Sequence, residues 1–118
     1  MAGREKKSRS RGSAGNHRKQ GDDFLRLNLQ RPEVNVTDSG LQYLIVEETE
    51  GLKPGLFDTI RIHQRALLLD GKILEDTYRQ NQADEVKIED LIEGLQEGLQ
   101  MMSVGSRYKF WVPADLAW

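Results

Sequence analysis

Leu91-Ile92-Glu93-Gly94-Leu95-Gln96-Glu97-Gly98-Leu99-Gln100 is the stretch on which the fold turns. Leu91, Ile92, Leu95 and Leu99 recur at separations of one, three and four, which draws an apolar stripe down a helix. The spacing predicts a helix over residues 89–99. Gly94 weakens a helix interior unless another element packs closely there, and Gly98 marks either a helix end or a second close approach. Downstream, Gly105 closes a turn. Residues 107–112 then alternate: Tyr108, Phe110 and Val112 on one face, Arg107, Lys109 and Trp111 on the other. That is a strand stopped by Pro113.

Upstream, the apolar period changes to two. Asp38-Ser39-Gly40 signals a turn. Residues 41–48 follow as a strand, with Leu41, Tyr43 and Ile45 sharing a face. After the loop 51–55, residues 59–69 read as one long strand, Ile60 and Ile62 against Arg61, His63 and Arg65. Asp70-Gly71 is a hairpin signal, because both types tolerate positive φ in a tight turn. A return strand over 72–75, a polar loop over 77–84 and a short strand over 85–88 complete the series. The expected class is α+β: an antiparallel sheet whose apolar face one short helix covers.

Charge divides the chain. Residues 1–20 carry Arg4, Lys6, Lys7, Arg9, Arg11, Arg18 and Lys19 against Glu5 alone, a net of +6, while the other 98 residues carry −8. The first twenty residues lack an apolar anchor, so they read as a basic disordered tail that cannot repay its own ordering entropy. Residues 4–19 suit weak contact with nucleic acid or another acidic surface. Residues 21–38 read as a helical lead-in and linker. Asp22 and Asp23 stand at the expected helix start, although alternation at Leu25, Leu27 and Leu29 also fits a strand. No apolar run follows the N-terminus, and the longest such runs are too short to span a bilayer, so the expected location is the cytoplasm.

Familiar chemistries find little support. The chain has no cysteine and two histidines, His17 and His63, without metal-ligand spacing. Ser39, Ser103 and Ser106 have no histidine placed to activate them. His63 reads as a structural strand residue. Glu75-Asp76 and Glu89-Asp90 fit a turn and a helix start better than an acid/base pair. An apolar recess needs none of these groups to act on a prolyl bond. The barrier to amide rotation comes from resonance, and a site that holds the twisted amide better than the planar one lowers it.

Ordered motifs make the reading specific. Ser39-Gly40-Leu41-Gln42-Tyr43, Arg61-Ile62-His63, Leu68-Leu69-Asp70-Gly71, the run from Leu91 to Met102, Val104-Gly105-Ser106-Arg107-Tyr108-Lys109-Phe110 and Val112-Pro113-Ala114-Asp115-Leu116-Ala117-Trp118 together resemble bacterial FKBP-type peptidyl-prolyl isomerases. The resemblance covers residues 39–118. Residues 22–38 resemble the helical lead-in of members with an N-terminal extension. It implies an antiparallel sheet wrapped around one short helix, cis-trans isomerisation of Xaa-Pro bonds in client polypeptides, and no metal or cofactor. It assigns the pocket to Gln64, Leu74, Glu75, Leu91, Ile92, Leu95 and Trp118, with the Ile92 amide holding the substrate carbonyl. Leu74 and Leu95 stand where the family has Phe and Trp, Gln64 and Trp118 where it has Tyr, and Glu75 where it has Asp. Leucine keeps the walls apolar but not flat. Gln80 falls near an Arg that supports that acid, so Gln64 is expected to bond Glu75 instead. The family's final loop and strand would follow Trp118, so the expectation is an incomplete chain or one completed by a second chain. A noncatalytic binding or chaperone module is the alternative function.

Overall fold

The computed structural model describes the backbone of residues 14–117 and the side chains of residues 19–117. The elements run α1 (Ala14–Asn28), β1 (Asn35–Val36), β2 (Gln42–Glu47), β3 (Thr59–Ile62), β4 (Arg65–Leu67), β5 (Ile73–Asp76), α2 (Thr77–Gln80), β6 (Asp84–Lys87), α3 (Glu93–Met101) and β7 (Arg107–Trp111). Short 3-10 turns at Ile88–Asp90 and Ala114–Leu116 flank the last helix and strand. All strand pairs are antiparallel and fall into three sets: β1-β2-β7, β3-β6 and β4-β5. The α+β class holds.

The glycines of α3 explain how the helix reaches the sheet. A Cβ on Gly98 would sit 2.7 Å from the Phe110 ring, and one on Gly94 would sit 2.5 Å from a Val112 methyl. Phe110 and Val112 are 1% and 3% exposed, so neither has room to retreat. One turn apart, the two glycines form a flat strip that seats α3 on β7 and the residues after it. On that side of the sheet Leu41, Tyr108, Phe110, Val112 and Ala117 form one core cluster. Ile88, Leu95 and Leu99 form a second, joined by Leu56, Ile60, Ile62 and Leu91. Ile92 and Met102 touch both clusters and bridge them.

α3 starts four residues later than its apolar spacing predicts. Ile88–Asp90 forms a separate turn, and Leu91 and Ile92 are extended, with φ/ψ of −91/166° and −60/154°. The Ile92 carbonyl accepts from Leu95 and Gln96 N–H at 3.0 Å each, which opens the helix.

The long strand over 59–69 is also broken. At Gln64 the backbone partners come from Thr77: its N–H donates to the Gln64 carbonyl at 2.9 Å and its hydroxyl accepts the Gln64 N–H at 2.7 Å. Thr77 is fully buried, so this junction separates β3 from β4. The expected loop after β5 begins as α2, capped by Asp76, whose carboxylate accepts from Arg79 N–H at 3.1 Å, and closed by Asn81 at φ 54°. Only Gly71, not Asp70, takes positive φ in the hairpin; Asp70 instead accepts from Lys72 N–H through its side chain at 2.9 Å.

The N-terminal half corrects the expected tail. α1 begins at Ala14, so residues 14–20 are helical, while residues 1–13 lie outside the described part. Lys19 and Gln20 are good helix formers that extend a helix anchored further on. Asp22 and Asp23 are therefore inside the helix, with Asp23 paired to Arg26 at 3.1 Å. The anchor is a buried polar joint: Asn28 Nδ2 donates to Gln42 Oε1 and Gln42 Nε2 donates to the Leu25 carbonyl, both at 2.9 Å. Arg31 donates to Asn28 Oδ1 at 3.2 Å and lies 5.7 Å from the Trp111 ring centre. That cover explains why Trp111, expected outside, is buried.

Two predictions follow from this packing. Gly98→Ala is expected to lower stability to urea by about 1–2 kcal/mol, since overpacking against Phe110 outweighs the helix propensity gained; a more stable variant would contradict the close approach. The second concerns Tyr108, whose hydroxyl donates to Glu48 at 2.8 Å. Burial first, then that bond and the Glu48 charge, push its pKa from 10.0 to about 12. The fold thus holds this proton more tightly than the open chain does. The resulting stabilisation is present below about pH 10 and is lost as pH rises through about 12. Denaturation midpoints should fall across that window, and Tyr108→Phe should flatten the fall; an unchanged slope in the variant contradicts the assignment.

Candidate active site

Three of the pocket residues expected from sequence meet at the start of α3. Leu95 is 7% exposed and belongs to the second core cluster, while Leu91 and Ile92 lie half-buried against it. Ile60 and Ile62 approach the same cluster from β3. The result is an aliphatic surface whose inner part is buried and whose outer part is open to solvent. Because Ile92 precedes the helix, its N–H belongs to no helical turn. No described residue accepts a hydrogen bond from it. A backbone donor beside an apolar surface suits an incoming carbonyl.

The other expected residues are placed differently. Leu74 is half-buried on β5, whereas Glu75 is exposed on the opposite face of that strand. Glu75 pairs with Ala66 in the β4-β5 ladder, but no side-chain hydrogen bond or ion pair links its carboxylate to a described residue, so the expected bond from Gln64 to Glu75 is not made. Gln64 donates through Nε2 to Asp84 Oδ2 at 3.3 Å. The reason is local: Thr77 fixes the Gln64 backbone, and Gln64 continues the inward series Ile60, Ile62, opposite β6 rather than over the β4-β5 hairpin. Gln80 ends α2 in an exposed position. Trp118 lies outside the described residues.

Asp84 is the residue that sequence reasoning passed over, by placing it in a polar loop. It is the first residue of β6, and its half-buried side shares an alternation with Val86. The signal was available: Asp84, Val86 and Ile88 are spaced by two, so the acid occupies an apolar register. His63 is exposed and stacks on Tyr78 with ring centres 4.9 Å apart, its Nδ1 3.1 Å from the Thr77 hydroxyl. That supports the junction at Gln64, although His63 lies in the break between β3 and β4 rather than within a strand as expected.

Residues 51–118 match the family described as FKBP-type peptidyl-prolyl cis-trans isomerase. Residues 1–45 match the domain amino terminal to FKBP-type peptidyl-prolyl isomerase. The chain is 38% identical over 98 residues to the outer membrane protein MIP of Legionella longbeachae, covering 83% of this chain and 42% of that protein. It is 32% identical over 102 residues to the FKBP-type peptidyl-prolyl cis-trans isomerase FkpA of Aeromonas hydrophila, covering 86% and 38%. The chain thus spans well under half the length of these relatives. The crystal structure of FkpA from Escherichia coli superposes with a TM-score of 0.84 at 26% identity, covering 89% of this chain and 49% of that one. A peptidyl-prolyl cis-trans isomerase from Pseudomonas syringae shares the fold at a TM-score of 0.73 and 19% identity, covering 93% and 80%. From the match over its C-terminal half and more, the chain belongs to the FKBP-type peptidyl-prolyl cis-trans isomerase family.

Proposed function

We propose that the protein catalyses cis-trans isomerisation of Xaa-Pro bonds in polypeptide clients. The observation that carries this reading is the Ile92 N–H, which has no acceptor among the described residues, at the edge of the aliphatic surface made by Leu91, Ile92 and Leu95. The proline ring packs against that surface, with Leu74 as a further apolar contact, and the Ile92 amide takes a substrate carbonyl. No covalent step is required. Rotation about the prolyl bond breaks amide resonance, and an apolar setting disfavours the charge-separated planar amide relative to the twisted one. A donor fixed by the backbone needs no reorganisation as the amide turns. Gln64 stands at the polar edge of the site, and its assigned contact role passes from Glu75 to Asp84.

A noncatalytic client-binding module is the second reading. It is favoured by the composition of the described cluster around Leu95, which consists entirely of Leu, Ile and Met. Such a surface grips proline less specifically than flat aromatic walls. For residues 4–19 we propose weak, charge-driven contact with nucleic acid or another polyanion, resting on the net charge of the first twenty residues. Salt-sensitive RNA binding that disappears when these residues are deleted supports it, and binding unchanged by the deletion opposes it.

Backbone geometry allows a direct test of the catalytic reading. Ile92 has φ −60° and follows an extended Leu91, so proline fits there without strain. Ile92→Pro removes the N–H and Ile92→Ala keeps it, while both lose most of the side chain. Peptide isomerisation measured by exchange spectroscopy should rise in proportion to protein concentration. The Pro variant should show kcat/KM about tenfold below the Ala variant, the scale of one well-placed hydrogen bond. Equal rates in two folded variants contradict the role of the amide. A background rate from folded wild-type protein contradicts catalysis and favours the binding module.

A further inference from the structure

We infer that Asp84 selects clients carrying a basic residue next to the proline. This rests on the proposed site and adds a substrate preference to it.

The register of β3 and β6 places Asp84 opposite Ile62 and Val86 opposite Ile60. Residues directly opposite in an antiparallel pair project from the same face. Ile60 and Ile62 pack against the cluster that holds Leu91, Ile92 and Leu95. Asp84 therefore projects toward the face that carries the proposed site, and its burial agrees: Asp84 and Val86 are half-buried while Glu85 and Lys87 are exposed. A carboxylate has replaced an apolar side chain in an inward register.

Its partners do not account for the charge. The one described hydrogen bond to its carboxylate is the 3.3 Å contact from the neutral Gln64 amide to Oδ2. Among the described residues no Lys, Arg or His lies in ion-pair range of it; the ion pairs present join Arg26 to Asp23, Arg31 to Glu33 and Arg65 to Asp76. An ionised carboxylate offers about four acceptor sites, and Gln64 fills one of them. Gln64 points Asp84 without neutralising it. A client ammonium or guanidinium held against the aliphatic surface beside proline would complete the pair. Its alkyl stem would cover Ile62 and Val86, as long basic side chains do on apolar surfaces.

The test uses Xaa-Pro peptides identical except for Lys, norleucine or Glu immediately before or immediately after the proline. At low salt the kcat/KM ratio of Lys to norleucine should be about fivefold in one of the two positions, the scale of a half-exposed ion pair. The Glu peptide should fall below norleucine. The ratio should decline toward one in high salt. Asp84→Asn should bring the Lys-to-norleucine ratio to about one, and Asp84→Lys should favour Glu over Lys. A wild-type ratio of one at both positions, or a ratio that survives Asp84→Asn in a folded protein, overturns the inference. If no peptide is turned over, dissociation constants for the same series, from NMR titration, carry the comparison. A charge preference in binding that Asp84→Asn removes then supports the role of Asp84 while catalysis fails, and equal affinities overturn it.

Discussion

The contact between α3 and the strand region at Phe110 and Val112 sets the position of everything else. A helix normally stands off a sheet by the thickness of its side chains. Here Gly94 and Gly98 remove that spacer, and Phe110 and the Val112 methyls fill the room. The close approach fixes α3 in both height and rotation, because any other residue turned toward β7 would collide. With that rotation set, Leu95 and Leu99 face the β3 side and join Ile88, Ile60 and Ile62. Two core clusters thus share one helix, and Ile92 and Met102 close the seam between them.

The proposed site follows from how the chain arrives at this helix. A helix begun at residue 89 would have turned the Ile92 N–H back onto the Ile88 carbonyl; here Leu91 N–H takes that carbonyl, at 3.0 Å. Instead the chain makes one 3-10 turn, extends for two residues and only then coils. Extension leaves the Ile92 N–H outside the helix and exposes part of both side chains. The same two residues therefore offer an apolar wall and a fixed donor, the two things that a twisting prolyl amide can use. Gln64, held at the break between β3 and β4 by Thr77, and Asp84, at the start of β6, supply polarity beside the proposed site. At the other side of the sheet, the buried Asn28–Gln42 joint ties α1 to β2 and covers Trp111.

Patterns of two and of three to four made most of the architecture legible. Strand alternation puts Leu41, Tyr43 and Ile45 on one face and Tyr108, Phe110 and Val112 on another; the structure packs all of these together except Ile45, which is exposed. The doubt over Gly94 and Gly98 had its answer in close packing, but a sequence does not say which partner approaches. The differences arise where something other than apolar spacing directs the backbone. Thr77 interrupts the strand at Gln64 from thirteen residues away, which no local period records. Asp76 caps a short helix where polarity suggests a loop, and the backbone is extended at Leu91 and Ile92, so α3 starts late. Of the site, Leu91, Ile92 and Leu95 were readable together through helix spacing and family resemblance. Strand alternation turns Glu75 to the face opposite Leu74, and Asp84 is hard to read from sequence because a carboxylate does not look like an inward strand residue.

The central claim is that the extended Leu91-Ile92 segment receives a prolyl peptide through the Ile92 amide. Amide-resolved NMR during titration with a prolyl peptide tests it most directly. The account predicts that the Ile92 amide proton moves downfield and gains protection from solvent exchange, with accompanying shifts in the methyl groups of Leu91 and Leu95. An Ile92 amide that stays unperturbed while the peptide binds elsewhere on the folded protein would contradict it.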